Sequence, residues 1–74
     1  MQTLEFELRG EYIELCNLLK LAGLADSGGR GKQMVAEGMI QVDGQAEGRK
    51  TAKIRAGQAV RCGDVLIKVV AHGG

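Results

Sequence analysis

Ser27-Gly28-Gly29-Arg30-Gly31-Lys32-Gln33-Met34-Val35-Ala36-Glu37-Gly38-Met39-Ile40-Gln41-Val42-Asp43-Gly44 is the stretch on which the fold turns. It predicts a helix opened by Asp26 or Ser27 as cap, with Met34 and Val35 on its apolar face and Gly31 one turn earlier. Gly38 closes that helix. Ile40 and Val42 then alternate as in a short strand, and Asp43-Gly44 supplies the positive φ that a two-residue hairpin turn requires. Glycine is a poor helix former, about 1 kcal/mol worse than alanine per interior position. Three glycines in the opening turn therefore ask for a reason. One is a tight turn that lets two helices approach closely. Another is that Gly28 and Gly29, with Ser27, leave the first-turn N–H groups open to a phosphate. Arg30 and Lys32 beside them favour both roles together.

Upstream, Thr3 to Arg9 sets Leu4, Phe6 and Leu8 on one side and Glu5, Glu7 and Arg9 on the other, the period of a half-buried strand. Gly10 ends it and offers a weak cap, with Glu11 and Glu14 placed for the first turn of a helix. From Glu11 to Ala22 the period becomes helical, with Leu15, Leu18, Leu19 and Ala22 on one stripe extended by Tyr12. Gly23 sits where a left-handed ending belongs, and Leu24 can close back on Leu19. Downstream, Gln45 to Thr51 reads as a loop or ragged return strand. Ile54 is a core position between outward Lys53 and Arg55, and Ala56-Gly57 turns the chain. Residues 58–70 form a hairpin around Gly63-Asp64, with Val65, Ile67 and Val69 on one side and Leu66, Lys68 and Val70 on the other. His72, Gly73 and Gly74 read as a loose tail, with His72 a solvated bystander.

Seventy-four residues with 45% hydrophobic content suit one domain with one core, built mainly from aliphatic side chains because only one Phe and one Tyr are present. Cys16 and Cys62 match neither a disulfide framework nor zinc-ligand spacing. Free thiols in a reducing compartment are expected, although a disulfide stays compatible with the sequence. No signal or membrane-length apolar run is visible, which points to the cytoplasm. The net charge of +1 conceals a division. Residues 1–27 hold five acidic and two basic side chains, whereas residues 28–63 hold seven basic and three acidic ones. If the fold keeps that division, one face suits a polyanion.

Chemistry is not indicated. Gly31-Lys32 fails as a phosphate loop, since Asp26 stands where that motif needs Gly and Gln33 where it needs Ser or Thr. Ser27 has no local base, and Glu37, Asp43 and Glu47 occupy ordinary helix-end, turn and loop positions, so neither a catalytic nor a metal site is assigned. The cations are more informative jointly than singly. Lys32 at a helix start, Arg49-Lys50 in a loop, and Lys53 and Arg55 around Ile54 could form one curved patch contacting phosphates with little sequence reading. Phe6 reads as buried and Tyr12 as isolated, so stacking platforms for single strands are not expected. Structured RNA, told from DNA by its 2′-hydroxyls, is the expected ligand.

The residues Leu15-Cys16-Asn17-Leu18-Leu19-Lys20-Leu21-Ala22-Gly23-Leu24, then Ser27, Gly28, Gly29, Lys32, Glu37-Gly38 and Ile40-Gln41-Val42-Asp43-Gly44 resemble the S4 domain, a small RNA-binding module. Glu47-Gly48-Arg49-Lys50 and Lys53-Ile54-Arg55-Ala56-Gly57 are similar to the compact stand-alone S4-like proteins of bacteria. The similarity spans about residues 12–70. It implies an α+β fold: two antiparallel helices, the αL motif (about residues 12–55), packed on a small, mostly antiparallel sheet with an N-terminal strand over residues 3–9. Residues 1–74 are then one S4-like domain. The resemblance implies RNA contacts at Lys32, Arg49, Lys50 and Lys53. The family's Arg-Leu-Asp helix start reads Glu14-Leu15-Cys16 here, Gly28 and Arg30 replace a basic and an acidic residue, and a closing Gly-Asp reads Gly57-Gln58. These departures shift the expected patch toward Arg30, Lys32 and the 49–55 segment. The expectation is a monomeric, non-catalytic binder of rRNA-like or tRNA-like RNA, ribosome-associated RNA included, without cofactor or membrane. The competing expectation is a protein–protein adaptor using the acidic helix-one side or the sheet edge.

Overall fold

The computed structural model describes residues 2–72. Its elements are β1 (Gln2–Leu8), β2 (Ile13–Glu14), α1 (Leu15–Leu21), α2 (Gly28–Ala36), β3 (Ile40–Val42), β4 (Gln45–Ala46), β5 (Lys53–Ile54), β6 (Ala59–Cys62) and β7 (Val65–Ala71). Five strands form one sheet in the order β1-β7-β6-β3-β4, and β2 with β5 forms a separate two-stranded ladder. Every pairing is antiparallel except β1 with β7. The α+β architecture read from the sequence, two helices packed on a mostly antiparallel sheet, is the one observed.

A single apolar cluster joins the layers. Leu15, Leu18 and Leu19 of α1 meet Met34 and Val35 of α2, with Ile40, Ile54, Val60, Ile67 and Val69 beneath them. The registers explain the selection, because Leu4 lies opposite Ile67, Ile67 opposite Val60, and Val60 opposite Val42. The strand alternation thus gathers one inward apolar row across four strands.

Both helices end as expected. Gly23 N–H donates to the Lys20 carbonyl and Leu24 N–H to the Leu19 carbonyl, at 3.1 and 3.0 Å, and Gly38 and Met39 repeat the pattern on Val35 and Met34. Of the two candidate caps for α2, Ser27 is the one used, its Oγ accepting the Arg30 N–H at 3.2 Å. Asp43 and Gly44 have φ of 51° and 84°, the primed turn joining β3 to β4. The ragged segment after it contains only the two-residue β4.

The first helix does not begin where its periodicity suggests. Residues 11–14 lie outside α1, Glu14 is its N-cap without a side-chain cap bond, and no acidic side chain occupies its first turn. Gly10 and Glu11 therefore do not have the capping and first-turn roles expected of them, and Tyr12 is not part of the helical stripe. The cause is tertiary: Ile13 pairs with Ile54 and Glu14 with Lys53, so the chain stays extended until Leu15. The first helical N–H groups, of Leu15 and Cys16, donate to the Ala52 and Lys50 carbonyls at 2.9 and 3.0 Å, external partners that remove the need for a side-chain cap. His72 is also no bystander. Its N–H donates to the Leu8 carbonyl at 3.1 Å and its Nδ1 lies 2.5 Å from Glu7 Oε1, tying the end of β7 to β1. Gly73 and Gly74 lie outside the described residues. Cys16 is buried, Cys62 half-buried, and both are free; burial raises the Cys62 thiol pKa.

Candidate functional site

Two of the segments that carry the expected cations meet the backbone of Cys16. From one side comes α2. A Cβ added to Gly31 would lie 2.7 Å from the Cys16 carbonyl oxygen and 3.3 Å from its Cα and carbonyl carbon. Only a residue without a side chain permits that approach, so the close-contact role of this glycine holds. Gly28 and Gly29 have no such crowding, with nothing near the first and only Ser27 Oγ, at 3.8 Å, near the second. From the other side comes the 49–52 turn, whose Lys50 carbonyl accepts the Cys16 N–H. Exposed Arg30 and Lys32 flank buried Gly31 on the helix that abuts Cys16 from one side, and exposed Arg49 and Lys50 lie on the segment that abuts it from the other.

Arg49 does not stand free. Its Nε lies 3.2 Å from Glu47 Oε2 and its Nη2 3.4 Å from Oε1, and its N–H also donates to Oε2 at 3.0 Å. The Arg49 side chain remains 80% exposed while that of Glu47 is 20% exposed. The hydrogen bond from the Arg49 side chain is the main cause holding the Glu47 pKa below its ordinary value, and the same bond raises that of Arg49. Such an exposed pair contributes little stability. Its consequence is orientation: the guanidinium is held in place on the surface.

Lys53 lies on β5 opposite Glu14, and its Nζ sits 5.0 Å from the centroid of the Tyr12 ring. Arg55, just beyond β5, is exposed and has its backbone fixed from both directions. Its N–H donates to Gln58 Oε1 at 2.7 Å, and its carbonyl accepts the Gln58 N–H at 3.2 Å. Gln58 Nε2 donates to Asp43 Oδ2, whose other oxygen accepts the Ala59 N–H at 2.9 Å. The β3–β4 turn therefore braces the turn that presents Arg55. Sequence reasoning missed three participants here. Glu47 as the Arg49 partner was readable from their two-residue spacing. Tyr12 as the Lys53 partner and Cys16 as the meeting point become visible only once β2 pairs with β5.

Among the described residues no group of three or more His, Cys, Asp or Glu is placed to hold a metal ion, and no helix is long and apolar enough to cross a membrane.

A family model described as S4 domain matches residues 6–70. YbcJ of Escherichia coli (strain K12) is 48% identical over 60 residues, covering 81% of this chain and 86% of that protein. YbcJ of Shigella flexneri, described as uncharacterized, matches to the same extent. The solution structure of YbcJ from E. coli, described as revealing an αL motif involved in RNA binding, aligns with a TM-score of 0.65 at 44% identity. That alignment covers 96% of this chain and 89% of the other.

Proposed function

This chain belongs to the S4-domain family, and on that premise we propose that it is a non-catalytic module that binds structured RNA, mainly through backbone phosphates. The observation that supports the reading is that Gly31 of α2 and the Lys50 carbonyl both meet the backbone of Cys16, so two of the cation-bearing segments pack against the start of α1. Arg30, Lys32, Arg49, Lys50, Lys53 and Arg55 are all exposed and come from two stretches of chain, so they follow a surface path rather than a linear run. The αL motif described for the E. coli relative as involved in RNA binding supports the same assignment.

In this reading Arg49 exchanges Glu47 for one phosphate, so the ion pair competes with RNA for the guanidinium fork. Lys32, Lys50 and Lys53 act as point charges for its neighbours. At the start of α2, Ser27 Oγ takes the Arg30 N–H, and in this reading the Gly28 and Gly29 N–H groups, at the positive end of the helix dipole, receive a further phosphate. The ligand is a folded RNA of the ribosomal or transfer type, bound by a monomer. DNA is the poorer ligand because it lacks the 2′-hydroxyl and the A-form surface.

The test is a triple substitution of Lys32, Arg49 and Lys53 to Ala, with the fold checked by circular dichroism. Each lost phosphate contact lowers the salt slope by about 0.7–0.9, so the triple variant should lose about 2–3 units of slope and most of its affinity at low salt. An intact fold with unchanged RNA affinity would assign the surface to a protein partner instead.

A further inference from the structure

β1 is one of the two edge strands of the five-stranded sheet, and beside it lies a cleft of about 370 Å³ that reaches Leu21 of α1. The cleft is lined by the apolar residues Phe6, Leu8, Tyr12, Ile13 and Leu21 together with Glu7 and Arg9. Tyr12, 43% exposed, and Leu21, 63% exposed, are two of the large apolar side chains the fold leaves uncovered. Lys53 is outside the cleft lining yet holds its ammonium over the Tyr12 ring. The β2–β5 ladder fixes this arrangement by placing Ile13 opposite Ile54 and Glu14 opposite Lys53.

We propose that the cleft receives one unstacked nucleobase of the bound RNA, stacked on Tyr12 among Ile13 and Leu21, while Lys53 meets the adjoining phosphate. The inference rests on the RNA-binding reading above and adds a preference for looped or bulged RNA over continuous duplex. Continuity selects this occupant, because the cation that sits on the ring belongs to the phosphate-binding segment. A nucleobase is neutral, so the Glu7 carboxylate, already engaged by His72, does not oppose it. Arg9 offers donors to the base edge. Paired bases are stacked within a helix and cannot enter, whereas a base in a loop can.

The experiment compares RNA hairpins, each carrying the fluorescent adenine analogue 2-aminopurine unpaired in its loop, with a fully paired RNA duplex of equal length. Wild type should change the fluorescence of the looped analogue. Tyr12→Ala should weaken hairpin binding by roughly five- to hundredfold, the range for losing one base–aromatic stack, and weaken duplex binding, which loses only the ring beneath Lys53, by clearly less. Tyr12→Phe should keep wild-type behaviour, and Leu21→Gln, at an exposed position, should show a smaller loss of the same selectivity. Wild type that binds hairpin and duplex while Tyr12→Ala alters neither, or both equally, overturns the base site and leaves the RNA reading standing. Failure of wild type to bind any RNA overturns both. Chemical-shift changes at Tyr12 and Leu21 with an extended apolar–basic peptide, but not with the hairpins, would overturn the base site and give the cleft to a strand added on β1.

Discussion

Replacing Gly31 by Ala tests the contact that brings the candidate cations together. Alanine is the better helix former by about 1 kcal/mol, which alone would stabilise α2. Against this, the new Cβ would stand 2.7 Å from the Cys16 carbonyl oxygen, with two more Cys16 backbone atoms at 3.3 Å. No rotamer change relieves a clash with backbone. Cys16 is itself held by its N–H bond to the Lys50 carbonyl, and Leu15 by Ala52, so α1 cannot retreat without pulling on the 50–52 segment. Overpacking of this type costs about 1–3 kcal/mol, and with so little freedom the upper part of that range applies. The net expectation is a loss of about 1–2 kcal/mol, which in a domain of this size lowers Tm by about 4–16 °C. Thermal unfolding followed by circular dichroism measures it, with Gly29→Ala as the control. That position adds a methyl group only 3.8 Å from Ser27 Oγ and should lose nothing. A Gly31→Ala protein melting at or above wild type would refute the close approach and the geometry built on it.

Leu18→Ala and Leu19→Ala each remove a fully buried side chain and should cost about 2–5 kcal/mol in chemical denaturation, enough to unfold much of a marginally stable chain. Ser27→Ala removes the acceptor of the Arg30 N–H and should cost about 0.5–2 kcal/mol, with Ser27→Gly milder. Glu47→Gln should leave Tm essentially unchanged and strengthen RNA binding at low salt by releasing Arg49, the gain fading as salt rises. Protonation of Glu47 should act in the same direction. Because its folded-state pKa lies below the ordinary 4.5, the pair persists above that value and is lost only as pH falls through the lowered one. Neutral-pH binding should therefore be flat with respect to this group, which a pH series on wild type and Glu47→Gln would check.

Local punctuation carried most of the fold. Gly23, Gly38 and Asp43-Gly44 mark chain reversals whose backbone chemistry is set by the residues themselves, and the alternation in residues 4–8 and 65–69 fixes which strand face is inward. What local pattern could not supply was partnership. Residues 11–14 have helical periodicity in isolation but are drawn into an extended pairing by Lys53 and Ile54, forty residues away. The parallel placement of β1 beside β7 likewise depends on chain ends that no short window contains. The cations were all visible in the sequence, as was the small residue at position 31 that lets their elements meet. The Lys53–Tyr12 contact was hidden because Tyr12 reads as a helix position until its strand is known. His72 was hidden for a related reason, since its partner Glu7 lies on the strand that closes the sheet.

The most direct test of the central claim is the affinity of wild-type protein for a labelled, folded RNA and for duplex DNA of matched length, measured across a range of salt concentrations. The account predicts binding that prefers RNA and weakens steeply as salt rises, as expected for several phosphate contacts. Equal binding of both nucleic acids, or RNA affinity indifferent to salt, would contradict it.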